Sequence, residues 1–456
     1  MEKVSNENYL FTNKDLLRLV FPLMIEQLLA VAVGMADSLM VASVGESAVS
    51  AVSLVDSINI LLINIFAALA TGGAVVAGQH IGRGNSEKAS EAGEQLLVFV
   101  TFISLVVMII MYLGRGFILK VVFGSIEADV AAHSNTYMLI VFASIPFIAI
   151  YSSGAALFRS MGNSRITMIT SLIMNIINVG GNALLIYGFH RGVEGVAIPT
   201  LVSRVVAAII IVALLRNQSL VVHISKKFRY KYNKEMVKNI LHIGIPNGIE
   251  NSMFQLGKIL LLSVVAGFGT ASITANAIGN TVISFGIIPG MAVGLGLVTV
   301  VSQCVGAGDY GQVRYYTKKL LMYAYISMIV LNVTIVFACP YILDIFHLSK
   351  ETTVITSQII IFHNISACFI WPLSFTLPNT LRASNDVRYT MLVGVGSMWI
   401  FRIGFGFILA KYVGMGVFGV WVAMVIDWFI RTIFFILRYN SHKWEISSNE
   451  PIIIKQ

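Results

Sequence analysis

Ionisable side chains inside long apolar runs are the residues of this sequence that could do chemistry. The first half of the chain has Glu26, Asp37 and Arg204 in such runs. The second half has five: Glu250, Lys258, Arg402, Asp427 and Arg431. If these runs cross a bilayer, a charge near its centre costs at least about 2.5–3.5 kcal/mol, so each charge requires a partner or a function.

Polar residues elsewhere in the first half predict an oxygen-rich site around Asp37. Asn178 and Asn182 are four residues apart and therefore share one helix face. Thr200 begins the sixth apolar run at a depth comparable to that of Asp37 at the end of the first. A carboxylate, two amides and a hydroxyl suit a hard monovalent cation such as Na⁺, and the carboxylate could instead carry a proton. Two structural alternatives remain: an Asp37–Arg204 pair, and asparagines that only join helices.

The elements that position these residues must be membrane helices. Of the 456 residues, 57% are hydrophobic and 12% are charged, whereas a soluble domain has about 25% charged residues. This composition excludes an ordinary soluble enzyme, a disordered protein and a nucleic-acid binder. The three cysteines stand alone in apolar runs, so neither a disulfide framework nor a zinc site is expected.

Twelve apolar runs are long enough to cross the hydrocarbon core, which takes about 20 residues in a helix. They are predicted at 16–43, 50–79, 95–122, 132–157, 166–189, 194–215, 239–267, 275–304, 316–345, 355–380, 389–411 and 416–438. The apolar residues are continuous and do not alternate with polar ones, which excludes a β-barrel. The predicted fold class is therefore an all-α integral membrane protein with twelve transmembrane helices.

The distribution of basic residues predicts the orientation. With the N-terminus inside, 22 of the 31 Lys and Arg residues fall on the cytoplasmic side, five on the opposite side and four within spans. This bias follows the positive-inside rule for an even number of spans with both termini cytoplasmic. The formal charge of +9 therefore reflects topology, and no nucleic-acid partner is expected.

The two halves of the chain are related by an internal repeat. A shift of 224 residues aligns 22–84 with 246–308 without a gap, and it pairs Pro22 with Pro246 and Glu26 with Glu250. We therefore predict four segments: an N-terminal six-helix lobe (1–215), a basic cytoplasmic linker (216–238), a C-terminal six-helix lobe (239–438) and a cytoplasmic tail (439–456). Two parallel repeats around a central cleft are typical of transporters that work by alternating access.

Several motifs in this order resemble the multidrug and toxic compound extrusion (MATE) family, in its bacterial NorM/DinF-like range. They are Phe21-Pro22-Leu23, Met35-Ala36-Asp37-Ser38, Gln79-His80-Ile81-Gly82-Arg83-Gly84, Phe158-Arg159-Ser160-Met161-Gly162-Asn163, 175–182, Gly195-Val196-Ala197-Ile198-Pro199-Thr200 and Gly244-Ile245-Pro246 with Glu250. The resemblance implies export of bulky, often cationic lipophilic compounds, driven by protons or sodium ions. It places the coupling carboxylate at Asp37, beside Asn178, Asn182 and Thr200. Some relatives have an acid where this chain has Asn182, so the choice between Na⁺ and H⁺ stays open.

The second half departs from the family pattern. Some members have a sodium site formed by the residue matching Glu250 and an acid in the tenth span, but this chain has no acid there. We therefore predict a fixed charge network that joins Glu250 to the other four ionisable residues: Lys258, Arg402, Asp427 and Arg431. In the alternative interpretation, Glu250 faces the substrate cavity, together with Glu26 and Tyr137.

These observations predict a cation-coupled antiporter of the cytoplasmic (inner) membrane. We expect it to act as a monomer on small organic substrates, with no cofactor and no catalytic residue. The main alternative is a flippase of the same superfamily for lipid-linked or polysaccharide precursors. A membrane-embedded enzyme is disfavoured because no acid/base or metal-ligand set converges near one face.

Overall fold

The apolar runs form helices in the computed structural model, which describes residues 9–124, 126–225 and 231–445. Within these ranges no strand occurs, and twelve helices are long and apolar enough to cross a membrane. The predicted all-α fold with twelve spans is confirmed. Residues 226–230 of the predicted linker and 446–456 of the predicted tail lie outside the described ranges.

The twelve spans are numbered α1 to α12 in chain order. The first six are α1 Asn13–Ala42, α2 Glu46–Gly82, α3 Ser86–Leu113, α4 Ala128–Ser160, α5 Ser164–Gly188 and α6 Glu194–Leu215. The last six are α7 Lys234–Ala266, α8 with segments Thr270–Gly286 and Ile288–Gly306, α9 Tyr310–Ile345, α10 Lys350–Ala383, α11 Val387–Tyr412 and α12 Gly416–Asn440. The two segments of α8 meet just before Pro289, which cannot donate a backbone hydrogen bond.

The repeat is visible in the turns as well as in the spans. Gly84 and Gly308, which are 224 residues apart, both have positive φ, at 71° and 75°. Each is followed by a residue whose side chain caps the next helix: Asn85 accepts from the backbone N–H of Lys88, and Asp309 accepts from that of Gln312. The same chain reversal is therefore built twice by the same local chemistry.

The helices group into two compact units whose boundaries fall inside α1 and α7. The first unit is Ile25–Gly248, and the second comprises the described residues up to Met24 together with those from Ile249 onwards. This division differs from the predicted lobes, which begin at 1 and 239. Both breaks lie at repeat-equivalent positions, so each half of the repeat exchanges the first part of its leading helix.

Specific contacts account for this exchange. In the second unit, the backbone N–H of Leu10 donates to the Gln312 side chain at 2.9 Å, and that of Phe11 donates to the Tyr316 hydroxyl at 2.8 Å. In the first unit, Gly72 lies so close to α7 that a Cβ there would be 2.4 Å from the Ile240 carbonyl oxygen. The N-terminal parts of α1 and α7 therefore pack with the helices of the other repeat.

The described part of the predicted linker is held on α3. Asn233 Nδ2 donates to Glu91 at 2.8 Å, Gln95 Nε2 donates to the Lys231 carbonyl at 2.7 Å, and the Ser225 N–H donates to Glu94 at 2.6 Å. These bonds lie on one face of the first turns of α3. They fix the chain on both sides of residues 226–230.

Candidate functional site

Asp37 lies in the first unit between α1 and α5, with its carboxylate within hydrogen-bond distance of an amide. Asn182 Nδ2 donates to Asp37 Oδ1 at 2.7 Å, and Asn182 is fully buried. The Oδ1 of Asn182 has no hydrogen-bond partner among the described residues. A carboxylate and a buried acceptor with unused capacity therefore lie together at this position.

Asn178 and Thr200 complete a group of four residues, which we call the Asp37 group. With its amide nitrogen turned to the carboxylate, Asn178 donates to Asp37 Oδ1 at 2.9 Å and accepts from Thr200 Oγ1 at 3.0 Å. In the opposite orientation its nitrogen donates to Thr200. The structure therefore brings Asp37, Asn178, Asn182 and Thr200 together, as their spacing on α1, α5 and α6 indicated.

Sequence reasoning missed Asp56, the second acid near this group. Asp56 lies on α2, and it accepts a hydrogen bond from the buried Tyr137 hydroxyl at 3.1 Å. Asp37 interacts electrostatically with both Asp56 and Arg204. An aspartate inside the predicted second span was a sufficient signal, because any charge at that depth needs a partner. Tyr137 is thus a partner of Asp56, whereas the sequence placed it in a substrate cavity.

Arg204 is held by neutral groups. Its guanidinium donates to Ser144 Oγ at 2.8 Å and to Asn59 Oδ1 at 3.3 Å. Within the described ranges, no ion pair of 4 Å or less joins Arg204 to Asp37, so the expected alternative of a direct Asp37–Arg204 pair does not form. Asp37 and Asp56 with Arg204 leave one net negative charge in this region when all three are ionised.

Glu26 is fixed by an ion pair. Arg159 Nη1 donates to Glu26 Oε1 at 3.2 Å, and Thr167 Oγ1 donates to Glu26 Oε2 at 2.8 Å. The Glu26 and Arg159 side chains are 12% and 17% exposed. Both carboxylate oxygens are therefore engaged, which favours a structural role over the predicted place in a substrate cavity.

Glu250, the repeat equivalent of Glu26, has the equivalent partner. Arg382 Nη2 lies 2.9 Å from Glu250 Oε1 and 2.8 Å from Oε2. The prediction that Glu250 is fixed by a cation agrees with this geometry, but the partner differs from the expected charge network. Lys258 makes no ion pair with any described residue, because Arg382 reaches Glu250 from α10 and Lys258 lies two turns further along α7.

The remaining charges of the second unit form a smaller network than expected. Arg431 Nε donates to Asp427 Oδ1 at 2.9 Å within α12, and Ser397 donates to the same oxygen. Arg402 Nη1 approaches Asp427 Oδ2 only to 3.9 Å. We call Lys258, Arg402 and Arg431 with Asp427 the cation cluster. It contains three cations and one carboxylate.

The described residues contain no group of three or more His, Cys, Asp and Glu side chains that could hold a metal ion. The three cysteines are buried and free. The oxygen-rich Asp37 group is thus built for a single small cation, with one carboxylate and neutral oxygens around it.

Comparison with known proteins identifies the family. The MatE family model matches residues 22–184 and 246–408, which are two copies offset by 224 residues at both ends. The chain belongs to the MatE family. The resemblance seen in the motifs is thereby confirmed, and so is the internal repeat.

Relatives and solved structures agree with this assignment. The chain is 25% identical to the uncharacterized transporter YisQ of Bacillus subtilis, over 94% of each protein. It is 23% identical to the probable multidrug resistance protein NorM of Thermotoga maritima, over 95% of this chain and 93% of the relative. A MATE transporter of the MOP superfamily solved in an outward-facing conformation superposes with a TM-score of 0.87 at 18% identity, covering 95% of this chain and 96% of that one.

The family assignment fixes the general class of activity. As a member of the MatE family, the protein is a membrane-spanning transporter of the multidrug efflux type and is not an enzyme. Its substrates are small molecules, consistent with its multidrug-resistance relatives.

Proposed function

We propose that this transporter exports lipophilic, often cationic compounds by antiport against a monovalent cation, and that the Asp37 group is where that cation binds. The observation that carries the proposal is the cluster of Asp37 with Asn178, Asn182 and Thr200, in which both amides approach a carboxylate within a membrane span. A charge at this depth is costly unless it has a partner or a task.

The same group has two ways to take up a cation. A proton on Asp37 turns one carboxylate oxygen from an acceptor into a donor, so an amide that donated to it must turn its oxygen inward. A sodium ion also prefers the amide oxygens, and Asn182 Oδ1 is already without a hydrogen-bond partner among the described residues. Either ion therefore requires the asparagines to reorganise, and this links cation binding to the packing of α1 against α5.

The charges around the group support a stoichiometry of one cation per cycle. Asp37 and Asp56 together with Arg204 carry one net negative charge, and one bound H⁺ or Na⁺ makes the region neutral. A neutral region costs less to hold at bilayer depth than a charged one. Exchange between the two states would then be favoured by whichever side supplies the cation.

The basic residues support a location in the cytoplasmic membrane with both termini inside. The described loops that carry Arg83, Lys88, Arg159 and Arg165 belong to one side under this orientation. Inward flow of the cation would then drive export of the substrate. We propose that the working unit is a monomer, since each chain contains both halves of the repeat.

Export of a fluorescent cation from bacterial cells tests this proposal. An efflux-deficient host expressing the protein should accumulate less ethidium than the empty host, and Asp37→Asn should abolish that difference. The matched control is Asp129→Asn, the same chemical change at an exposed position in the first turn of α4. Membrane-inserted Asp37→Asn protein that exports ethidium normally would remove Asp37 from the mechanism.

A further inference from the structure

The second unit contains a cavity of about 230 Å³ between α7, α8, α11 and α12. Lys258 of α7 and Arg402 of α11 line it, with Asn276 and Asn280 of α8. The rest of the wall is apolar: Leu261, Leu262, Val265, Val420, Trp421 and Met424. The cavity thus combines two cations with a greasy, partly aromatic surface and has no carboxylate among its lining residues.

The two lining cations are poorly compensated. Asp427 is engaged by Arg431 and Ser397, so it offers Arg402 only a contact of 3.9 Å. The charged group with which Lys258 interacts is Arg402, a second cation. With three cations and one carboxylate, the cation cluster has two net positive charges.

Aromatic contacts are too weak to balance this excess. The Phe254 ring has Lys258 Nζ, Arg402 Cζ and Arg431 Cζ at 5.2, 4.9 and 5.5 Å from its centre. A cation–π contact contributes about 0.5–2 kcal/mol, whereas a lone charge at bilayer depth costs at least about 2.5–3.5 kcal/mol. Three cations that share one ring still favour an anion.

Hydrogen-bond donors without acceptors line the same cavity. Arg402 Nε and Trp421 Nε1 are buried and have no partner among the described residues. Arg402 and Trp421 are only 8% and 4% exposed. Both atoms can only donate. An incoming group with several acceptor oxygens would satisfy them together with the Lys258 ammonium.

The repeat relates this cavity to the Asp37 group and reverses its charge. A shift of 224 residues pairs Asp37 with Leu261, Asp56 with Asn280, Thr200 with Met424 and Gly34 with Lys258, and all four second members line the cavity. The second half has thus lost both acids and gained a cation at equivalent places.

A contact confirms that these positions are equivalent in space. Asn182, which donates to Asp37, matches Gly406 under the same shift. A Cβ at Gly406 would lie 3.1 Å from the side chain of Leu261, the residue that matches Asp37. The two pockets are therefore the same place in the two copies of one fold, with opposite charge.

We propose that this cavity binds the anionic group, a carboxylate or a phosphate, of an organic molecule whose apolar body packs on Trp421 and Met424. Lys258 and Arg402 hold the anionic oxygens, and Trp421 Nε1 adds a neutral donor. The inference goes beyond cation coupling, because it concerns a second site in the other unit and a ligand of opposite charge.

Titration calorimetry on the full chain in detergent tests the proposal with three naphthalene probes of matched size. We expect 2-naphthoate to bind at least about tenfold more tightly than the neutral 2-naphthylmethanol, and the 2-naphthylmethylammonium cation to bind most weakly. Lys258→Gln and Arg402→Gln should each weaken 2-naphthoate at least about tenfold, as expected for loss of a charge-assisted hydrogen bond. Lys258→Arg should retain most of the affinity.

Lys411→Gln is the matched control, because Lys411 is exposed and contacts an aromatic ring, that of Phe407, outside the cavity. Equal affinity for 2-naphthoate and 2-naphthylmethanol would overturn the proposal, and so would Lys258→Gln protein that binds 2-naphthoate as tightly as wild type. Lys258 is exposed, so this variant is expected to fold. Binding is measured without any ion gradient, so its outcome is independent of the transport experiments.

A second arm separates a soluble anion from a lipid phosphate as the source of the ligand. The same titration is done in nanodiscs of phosphatidylcholine alone and of phosphatidylcholine with phosphatidylglycerol. Weaker 2-naphthoate binding with phosphatidylglycerol identifies a lipid phosphate as a competing occupant of the site. Equal binding in both nanodiscs assigns the site to soluble organic anions.

Discussion

Replacing Glu250 by Gln tests whether the Glu250–Arg382 pair serves structure or transport. The side chains are 8% and 12% exposed, and both carboxylate oxygens lie within 2.9 Å of Arg382 Nη2. Removing one partner of a buried pair costs about 3–5 kcal/mol. Gln keeps the shape and one acceptor, so we expect the lower value of about 2–3 kcal/mol that is typical of a lost charge-assisted hydrogen bond.

The repeat supplies a matched comparison in Glu26→Gln. Glu26 has one bond to Arg159 at 3.2 Å and a second from the neutral Thr167, so its loss should cost less, about 1–2 kcal/mol. At about 2–4 °C per kcal/mol for a unit of some 200 residues, Glu250→Gln should lower the melting temperature by about 4–12 °C, more than Glu26→Gln does.

Thermal unfolding of the purified variants, read beside ethidium transport per folded molecule, decides between the two roles. The Glu250→Gln and Arg382→Gln double variant should be less destabilised than the sum of the single variants, because it leaves no uncompensated charge. Loss of transport by Glu250→Gln protein with an unchanged melting temperature would refute the structural role and make Glu250 a transport residue.

Three further substitutions test other parts of the account. Gly72→Ala places a Cβ 2.4 Å from a backbone carbonyl of α7, so it should destabilise the first unit by about 1–3 kcal/mol, whereas Gly180→Ala, with open space around it, should not; thermal unfolding compares them. Asp427→Asn leaves the buried Arg431 without its counter-charge and should cost about 3–5 kcal/mol by the same measurement, and an unchanged melting temperature would contradict the pairing. Asp56→Asn removes the net negative charge near Asp37, so cation-driven transport should fall while the folded protein remains; normal transport would contradict the charge argument.

The twelve spans and the repeat could be predicted from the sequence because both are written in local composition. A run of about 20 apolar residues forms a helix in any membrane protein, and the 224-residue offset recurs at Pro, Glu and Gly positions. The exchange of half-helices could not be predicted. It depends on contacts such as Phe11 with Tyr316, which only the folded chain brings together.

The Asp37 group was predictable because its members follow helical spacing and a family pattern. The partner of Glu250 was not, because Arg382 is 132 residues away and ends a different helix, whereas Lys258 lies on the same one. Asp56 was within reach of sequence reasoning, since it stands inside a predicted span. The charge reversal between the two pockets required both the repeat and the cavity, so it emerged only from the structure.

Gradient-driven transport in liposomes tests the central claim, cation coupling at Asp37, most directly. Purified protein is reconstituted, a sodium or a proton gradient is imposed separately, and ethidium movement is compared between wild type, Asp37→Asn and Asp129→Asn. The account predicts transport by wild type and Asp129→Asn under one of the two gradients, and none by Asp37→Asn. Equal transport by folded Asp37→Asn protein, or no response of the wild type to either gradient, would contradict it.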